Sequence, residues 1–216
     1  MLVTGTGTGV GKTWVAARLL TLLRHGGAAV AARKPVQSFD PGDPAESTDA
    51  AVLGASSGEP PEIVCPAARW YERAMAPPMA AEVLGRPPFT VADLARETSW
   101  PSPWPPGSPR VGLLEGIGGV RSPLADDGDT TDLGRLVAAD VVLLVAHAGL
   151  GTINAVRASA AVLAAAGLPP PVVVLNRFQS GDDLHRRNLR WLSERDGMDV
   201  VAVPGGELDL VRRLCR

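Results

Sequence analysis

The segment GTGTGVGKT, Gly5 to Thr13, constrains this chain more than any other stretch of it. Glycine stands at 5, 7, 9 and 11, a density that neither a regular strand nor a helix tolerates. A short apolar run, Leu2–Thr4, leads in, and a helical pattern, Lys12–Arg24, leads out. Strand, glycine turn and helix in that order form a unit whose turn directs backbone N–H groups inward, toward an anion. The common phosphate-loop spacing, G-x-x-x-x-G-K-[ST], places a glycine five residues before the last one. Here that position is Thr6 and the glycine is Gly5, so the loop is one residue longer. A broken site, a chance Gly/Thr turn and a variant loop are all open on spacing alone.

The rest of the chain repeats the same alternation. Further strands are expected at Ala28–Lys34, Val111–Glu115, Val141–Ala146, Val172–Asn176 and Val200–Val203, with another at Ile63–Trp70. Most are continuously apolar, as strands covered on both faces are. Helical patterns fall at Thr48–Leu53, Met79–Leu84, Val91–Glu97, Thr152–Ala166 and Asp183–Arg195. The expected fold is α/β: one domain over residues 1–216, with a mostly parallel central sheet, helices on both faces and a P-loop NTPase-like layout. SWPSPWPPGSPR, Ser99–Arg110, is too rich in proline for a helix or central strand and reads as a stiff surface connector.

A net charge of -2 gives no electrostatic footprint for nucleic acid. No apolar run is long enough to span a membrane, and Met1 leads directly into the first strand without a secretory leader. Cys65 and Cys215 are far apart and in no metal-ligand spacing, which suits two reduced thiols in a cytoplasmic protein.

Polar residues at strand ends supply the candidate chemistry. Lys12 can neutralise phosphate oxygens, and the Thr13 hydroxyl can join a magnesium shell. Lys34 closes the second strand, at the sheet edge where open α/β folds bind ligands, and Pro35 favours an extended conformation for it. Glu115 is the one charge in VGLLEGIGG, suited either to a magnesium ion or to an ordinary turn. Asp49 follows Ser47 and Thr48, so helix capping or first-turn electrostatics also accounts for it. In AHAGLGTINAV, Gly149, Gly151 and Thr152 open a long helix whose first N–H groups suit an anion; a plain turn is the other reading.

In order along the chain, VTGTGTGVGKT, KPVQS, STDAAVL, MAPPMAAEVLG, LLEGIGGVRSPLADDGDTTDLGRLVAADVVLLV, GLGTINAV, VVLNRF and VPGGE resemble the dethiobiotin synthetase family. That family's own loop is the longer G-x-x-x-x-x-G-K-T, so the extra residue becomes a match. The chain departs at Gly7, where the family often has aspartate, at Phe39, where it has glycine, and at Ile117, where it usually has alanine.

The resemblance implies an ATP- and magnesium-dependent ligase that carboxylates 7,8-diaminononanoate with CO2 and closes a ureido ring. It assigns Thr8 and the amides of Gly9, Val10 and Gly11 to phosphate or carbamate, and Lys12 to the β- and γ-phosphates. Thr13, Asp49 and Glu115 hold magnesium, while Lys34 and Ser38 flank the carbamate. Asn176 with Pro204, Gly205, Gly206 and Glu207 contacts the adenine base. Gly151, Thr152, Ile153 and Asn154 take the substrate carboxylate from a partner subunit, which implies a homodimer. ParA/MinD-like dimeric ATPase switches are the alternative, but they carry a lysine at the position of Gly7. Cobyrinate-type amidotransferases carry a glutaminase domain for which this chain has no room.

Overall fold

The computed structural model describes residues 1–214; Cys215 lies outside them. Its centre is a six-stranded parallel sheet made of β1 (Leu2–Gly5), β2 (Ala29–Arg33), β3 (Arg110–Glu115), β4 (Val142–His147), β5 (Val172–Asn176) and β6 (Val200–Ala202). Their spatial order is β6-β5-β4-β1-β3-β2. The chain winds one way from β1 to β2 and then the other way to β4, so the carboxyl end of β1 lies at the reversal, where ligands of such folds bind.

Alternate side chains of each strand enter different cores. Leu2, Leu114, Val142, Leu144, Ala146, Val173 and Leu175 pack into one. Val3, Leu113, Leu143, Val145, Val174 and Val201 pack into the other. Both faces are therefore covered, which is why the strands read as unbroken apolar runs. The second core is closed by α1 (Lys12–His25) through Val15, Ala16, Leu19, Leu20 and Leu23, together with α2 (Asp49–Ser57) and Leu210. The first core is covered by α4 (Pro77–Val83), α5 (Val91–Glu97), α6 (Thr130–Leu136) and α7 (Thr152–Ala165), together with the fully buried Leu192.

The strand expected at Ile63–Trp70 is overturned. Pro61 opens the short helix α3 (Pro61–Val64), and a 3-10 turn follows at Ala67–Arg69. Strand pairing is confined to Trp70–Tyr71, which pairs with Gln37–Ser38. Prolines at 60, 61 and 66 preset turns that outweigh the apolar pattern. The pattern at Asp183–Arg195 divides into α8 (Asp183–Arg190) and a π-helical turn, Trp191–Arg195. The proline-rich stretch Ser99–Arg110 is more than a connector, because Trp100 packs against the core. Its ring lies over Gly112 of β3, where a Cβ would come within 2.8 Å. The Arg33 guanidinium stacks 5.4 Å from the same ring and donates to the Ser99 carbonyl. The last described helix is α9 (Glu207–Leu214). No described helix is long and apolar enough to cross a membrane.

Candidate active site

The loop between β1 and α1 turns on Gly11, which sits at φ 92 as the N-cap of α1. A Cβ there would fall 2.1 Å from Nδ2 of Asn176, so neither the conformation nor the space admits a side chain. Gly11→Ala is accordingly expected to destabilise the fold by about 2 kcal/mol or more, read as a lowered denaturation midpoint. Gly7 differs: nothing lies within 4 Å of a Cβ placed there, so the residue that departs from the family pattern leaves open room.

Lys12 starts α1 and folds back beneath the loop. Its Nζ donates to the carbonyls of Gly118 at 2.8 Å and Gly7 at 3.2 Å. Burial first, and then the nearby Lys34 charge, push its pKa down to about 8 from the ordinary 10.5. A bound polyphosphate would favour the charged form. Between pH 8 and 10.5, binding should therefore take up a proton, and affinity for a polyphosphate should fall by up to about tenfold per pH unit. Calorimetry across that range, in two buffers of different ionisation enthalpy, checks both effects. The sign for stability is opposite. The unfolded chain holds the proton that native Lys12 has released, so this group's contribution to stability rises with pH through the same window.

Lys34 lies just beyond β2, where its N–H donates to the Val64 carbonyl. Its fully buried ammonium sits 2.7 Å from Oε1 of Glu115 and 2.7 Å from Oδ2 of Asp49, and donates to the Gly116 carbonyl at 3.0 Å. Burial alone would lower its pKa, but the two carboxylates outweigh that and hold it charged. For Asp49 burial acts upward, yet Lys34 prevails and holds the carboxyl below its usual range. Burial pushes the Glu115 carboxyl up, against the pull of Lys34. The capping question at Asp49 also has an answer. Thr48 is the N-cap of α2, accepting from the Ala51 N–H, which leaves Asp49 to face the cleft.

Thr13 completes the cluster: its hydroxyl is 2.7 Å from Oδ1 of Asp49 and 3.0 Å from Oε1 of Glu115. Oε2 of Glu115 is buried without a hydrogen-bond partner. An orphaned carboxylate oxygen beside a second carboxylate and a hydroxyl suits a hard divalent cation. No three His, Cys, Asp or Glu side chains cluster among the described residues. The donor set therefore suits magnesium, which keeps waters and phosphate oxygens in its shell, better than a metal caged wholly by protein.

Lys12, Thr13, Lys34 and Asp49 line one cleft of about 600 Å³, together with Thr8, Gly9, Ser38, Met75, Ile117 and Arg177, while Glu115 lies fully buried behind Lys34 and Thr13. Ser38 donates to the Met75 carbonyl at 2.6 Å and keeps its oxygen lone pairs. A second, open groove of about 920 Å³ runs past Phe178, Val201, Pro204, Gly205, Gly206 and Asp209. Asn176 lies buried beside the loop, and its amide is engaged at both ends. Nδ2 donates to the Val10 carbonyl and Oδ1 accepts the Arg177 N–H. Glu207 accepts from the Gly205 N–H at 2.7 Å.

The Gly151–Asn154 segment is not among the residues lining the cleft of about 600 Å³ of the same chain. The Thr152 N–H, expected to be free for an anion, donates to the Gly149 carbonyl at 3.3 Å, because the turn before α7 closes on itself. Its hydroxyl is buried without a partner. Sequence reasoning missed Arg177, whose guanidinium reaches the Gly9 carbonyl.

The sheet order, the strand–loop–helix cradle and the strand-end carboxylate define the P-loop NTPase-like class of α/β proteins. An AAA domain family matches residues 1–206. ATP-dependent dethiobiotin synthetase BioD of Caulobacter sp. strain K31 is 37% identical, over 96% of this chain and 88% of the relative. The enzyme of the same name from Haloferax mediterranei is 35% identical over 94% of this chain and 82% of its own. That of Rhodococcus jostii strain RHA1 is 36% identical over 95% and 86%. The chain belongs to the ATP-dependent dethiobiotin synthetase family, whose members are carbon–nitrogen ligases.

Proposed function

We propose that this chain is an ATP-dependent dethiobiotin synthetase acting on 7,8-diaminononanoate and CO2. The observation that carries the reading is the convergence of Lys34, Asp49 and Thr13 beside Lys12 in one cleft, with Glu115 buried against Lys34 and Thr13. One amine of the substrate adds to CO2, forming a carbamate and releasing a proton. A carbamate oxygen attacks the γ-phosphorus of ATP and ADP departs, leaving a carbamic–phosphoric anhydride. The second amine then attacks the anhydride carbonyl carbon, loses its proton and expels phosphate, which closes the five-membered urea. Phosphorylation is needed because a carbamate oxygen is otherwise a poor leaving group.

The residues serve positioning and charge compensation. Lys12, Thr8 and the amides of Gly9, Val10 and Gly11 hold the phosphates. Lys34, kept charged by its carboxylate neighbours, faces the carbamate with Ser38. Thr13, Asp49 and Glu115 would hold magnesium, which when bound neutralises phosphate charge and orients the transferred group. If Asp49 and Glu115 share that ion, Asp49→Ala and Glu115→Gln should each raise the magnesium requirement, with the double variant little worse than either. Additive losses at an unchanged magnesium requirement would argue against sharing.

The groove lined by Pro204, Gly205 and Gly206 takes the base, with Glu207 bound to the Gly205 N–H and Asn176 outside the groove's lining. Gly151, Thr152, Ile153 and Asn154 of a second copy receive the substrate carboxylate in a homodimer. Supporting this, the segment lies outside the phosphate cleft of its own chain, and the adjoining Leu150 is 92% exposed. The decisive experiment is incubation with diaminononanoate, bicarbonate, ATP and magnesium, followed by mass detection of the cyclic urea. ATP hydrolysis without that product would favour a nucleotide switch instead.

A further inference from the structure

Arg177 takes no part in the roles above, yet its placement is specific. It follows the buried Asn176 at the end of β5, with its backbone in the left-handed region at φ 57. Long side chains seldom adopt that conformation, and where they do the surroundings enforce it. Asn176 does so here: its Oδ1 accepts the Arg177 N–H at 2.8 Å, while its Nδ2 anchors the Val10 carbonyl of the phosphate loop at 2.9 Å. The Arg177 side chain is exposed and reaches the loop, with Nη2 donating to the Gly9 carbonyl at 3.2 Å. It lines the phosphate cleft, and the next residue, Phe178, begins the lining of the second groove.

The charge balance of the cleft gives this position meaning. Three cations line it: Lys12, Lys34 and Arg177. Two carboxylates at 2.7 Å already neutralise Lys34. Among the described residues, Lys12 and Arg177 form no ion pair, and each rests on neutral carbonyls of glycines around the loop. A phosphate oxygen is a stronger acceptor for a charged donor than a neutral carbonyl is. A guanidinium offers five N–H donors, of which the Gly9 carbonyl engages one.

We propose that Arg177 is a second phosphate-gripping cation, which exchanges the Gly9 carbonyl for phosphate oxygens where the polyphosphate chain passes toward the base groove. This rests on the reading of the loop as a nucleotide site. The left-handed turn and the Asn176 amide act as its mount.

Arg177→Gly isolates the cation, since glycine adopts φ 57 freely and the Asn176 bonds to the backbone can persist. Its thermal midpoint should equal or exceed that of the wild type. Its Kd for ADP should rise about tenfold or more, with a shallower dependence on salt. Adenosine, measured by competition, should bind as before, and Arg177→Lys should recover part of the ADP affinity. Should Arg177→Gly fold poorly, Arg177→Asn, which also tolerates the left-handed region, takes the same measurements. Unchanged ADP affinity in the folded variant overturns the proposal. So does an equal loss for adenosine and ADP, which would place the guanidinium against the base. Wild-type protein that binds neither ADP nor tripolyphosphate would overturn the nucleotide-site reading itself.

Discussion

Lys12→Ala is expected to lower kcat/KM by about a thousandfold or more, because the lost charge serves phosphate oxygens most strongly in the transition state. Nothing in the fold should suffer. The ammonium bonds to two backbone carbonyls and is disfavoured by its own burial, so the thermal midpoint should hold or rise slightly. Steady-state assay of the cyclic urea beside a thermal melt separates the two effects. Near-wild-type turnover in a folded variant would remove the loop lysine from the site.

Lys34→Met should give the opposite pattern, with both stability and activity lost. The substitution leaves Glu115 fully buried and Asp49 close by without the cation between them. Breaking a buried pair from one side costs about 3–5 kcal/mol. The loss should be largest above the carboxylate pKa values and shrink toward acid pH, where the stranded groups take up protons. Magnesium should restore part of it, since an ion bound only by the folded state stabilises by mass action. Denaturant melts with and without magnesium, at pH 5 and pH 8, test this. A variant as stable as the wild type throughout would mean that the carboxylates do not depend on Lys34.

The sheet and the loop were legible because their signals are local. Each strand is a short apolar run between turn residues, and the loop is a spacing of glycines with one lysine and one threonine. The Ile63–Trp70 run misled because apolar content says nothing about which local geometry closely spaced prolines enforce. Asp49 stayed ambiguous for a related reason: an acid at a helix start has a sufficient local explanation, and only Thr48 acting as the cap releases it for the cleft. Trp100 read as surface because proline-rich composition hides a single anchoring ring.

By itself, the sequence determined the class of architecture, the phosphate loop with Lys12 and Thr13, and the strand-end positions of Lys34 and Glu115. Those properties depend on periodicity and on residues within a turn of one another. Only the tertiary structure brought Lys34 and Glu115, 81 positions apart, to 2.7 Å, and left one Glu115 oxygen without a partner. It alone committed the Thr152 N–H to its own turn and carried Arg177 back over the Gly9 carbonyl, 168 positions away. Distances of that kind follow from the order in which strands enter the sheet and from what each buried polar atom finds beside it, and neither is written in a local pattern.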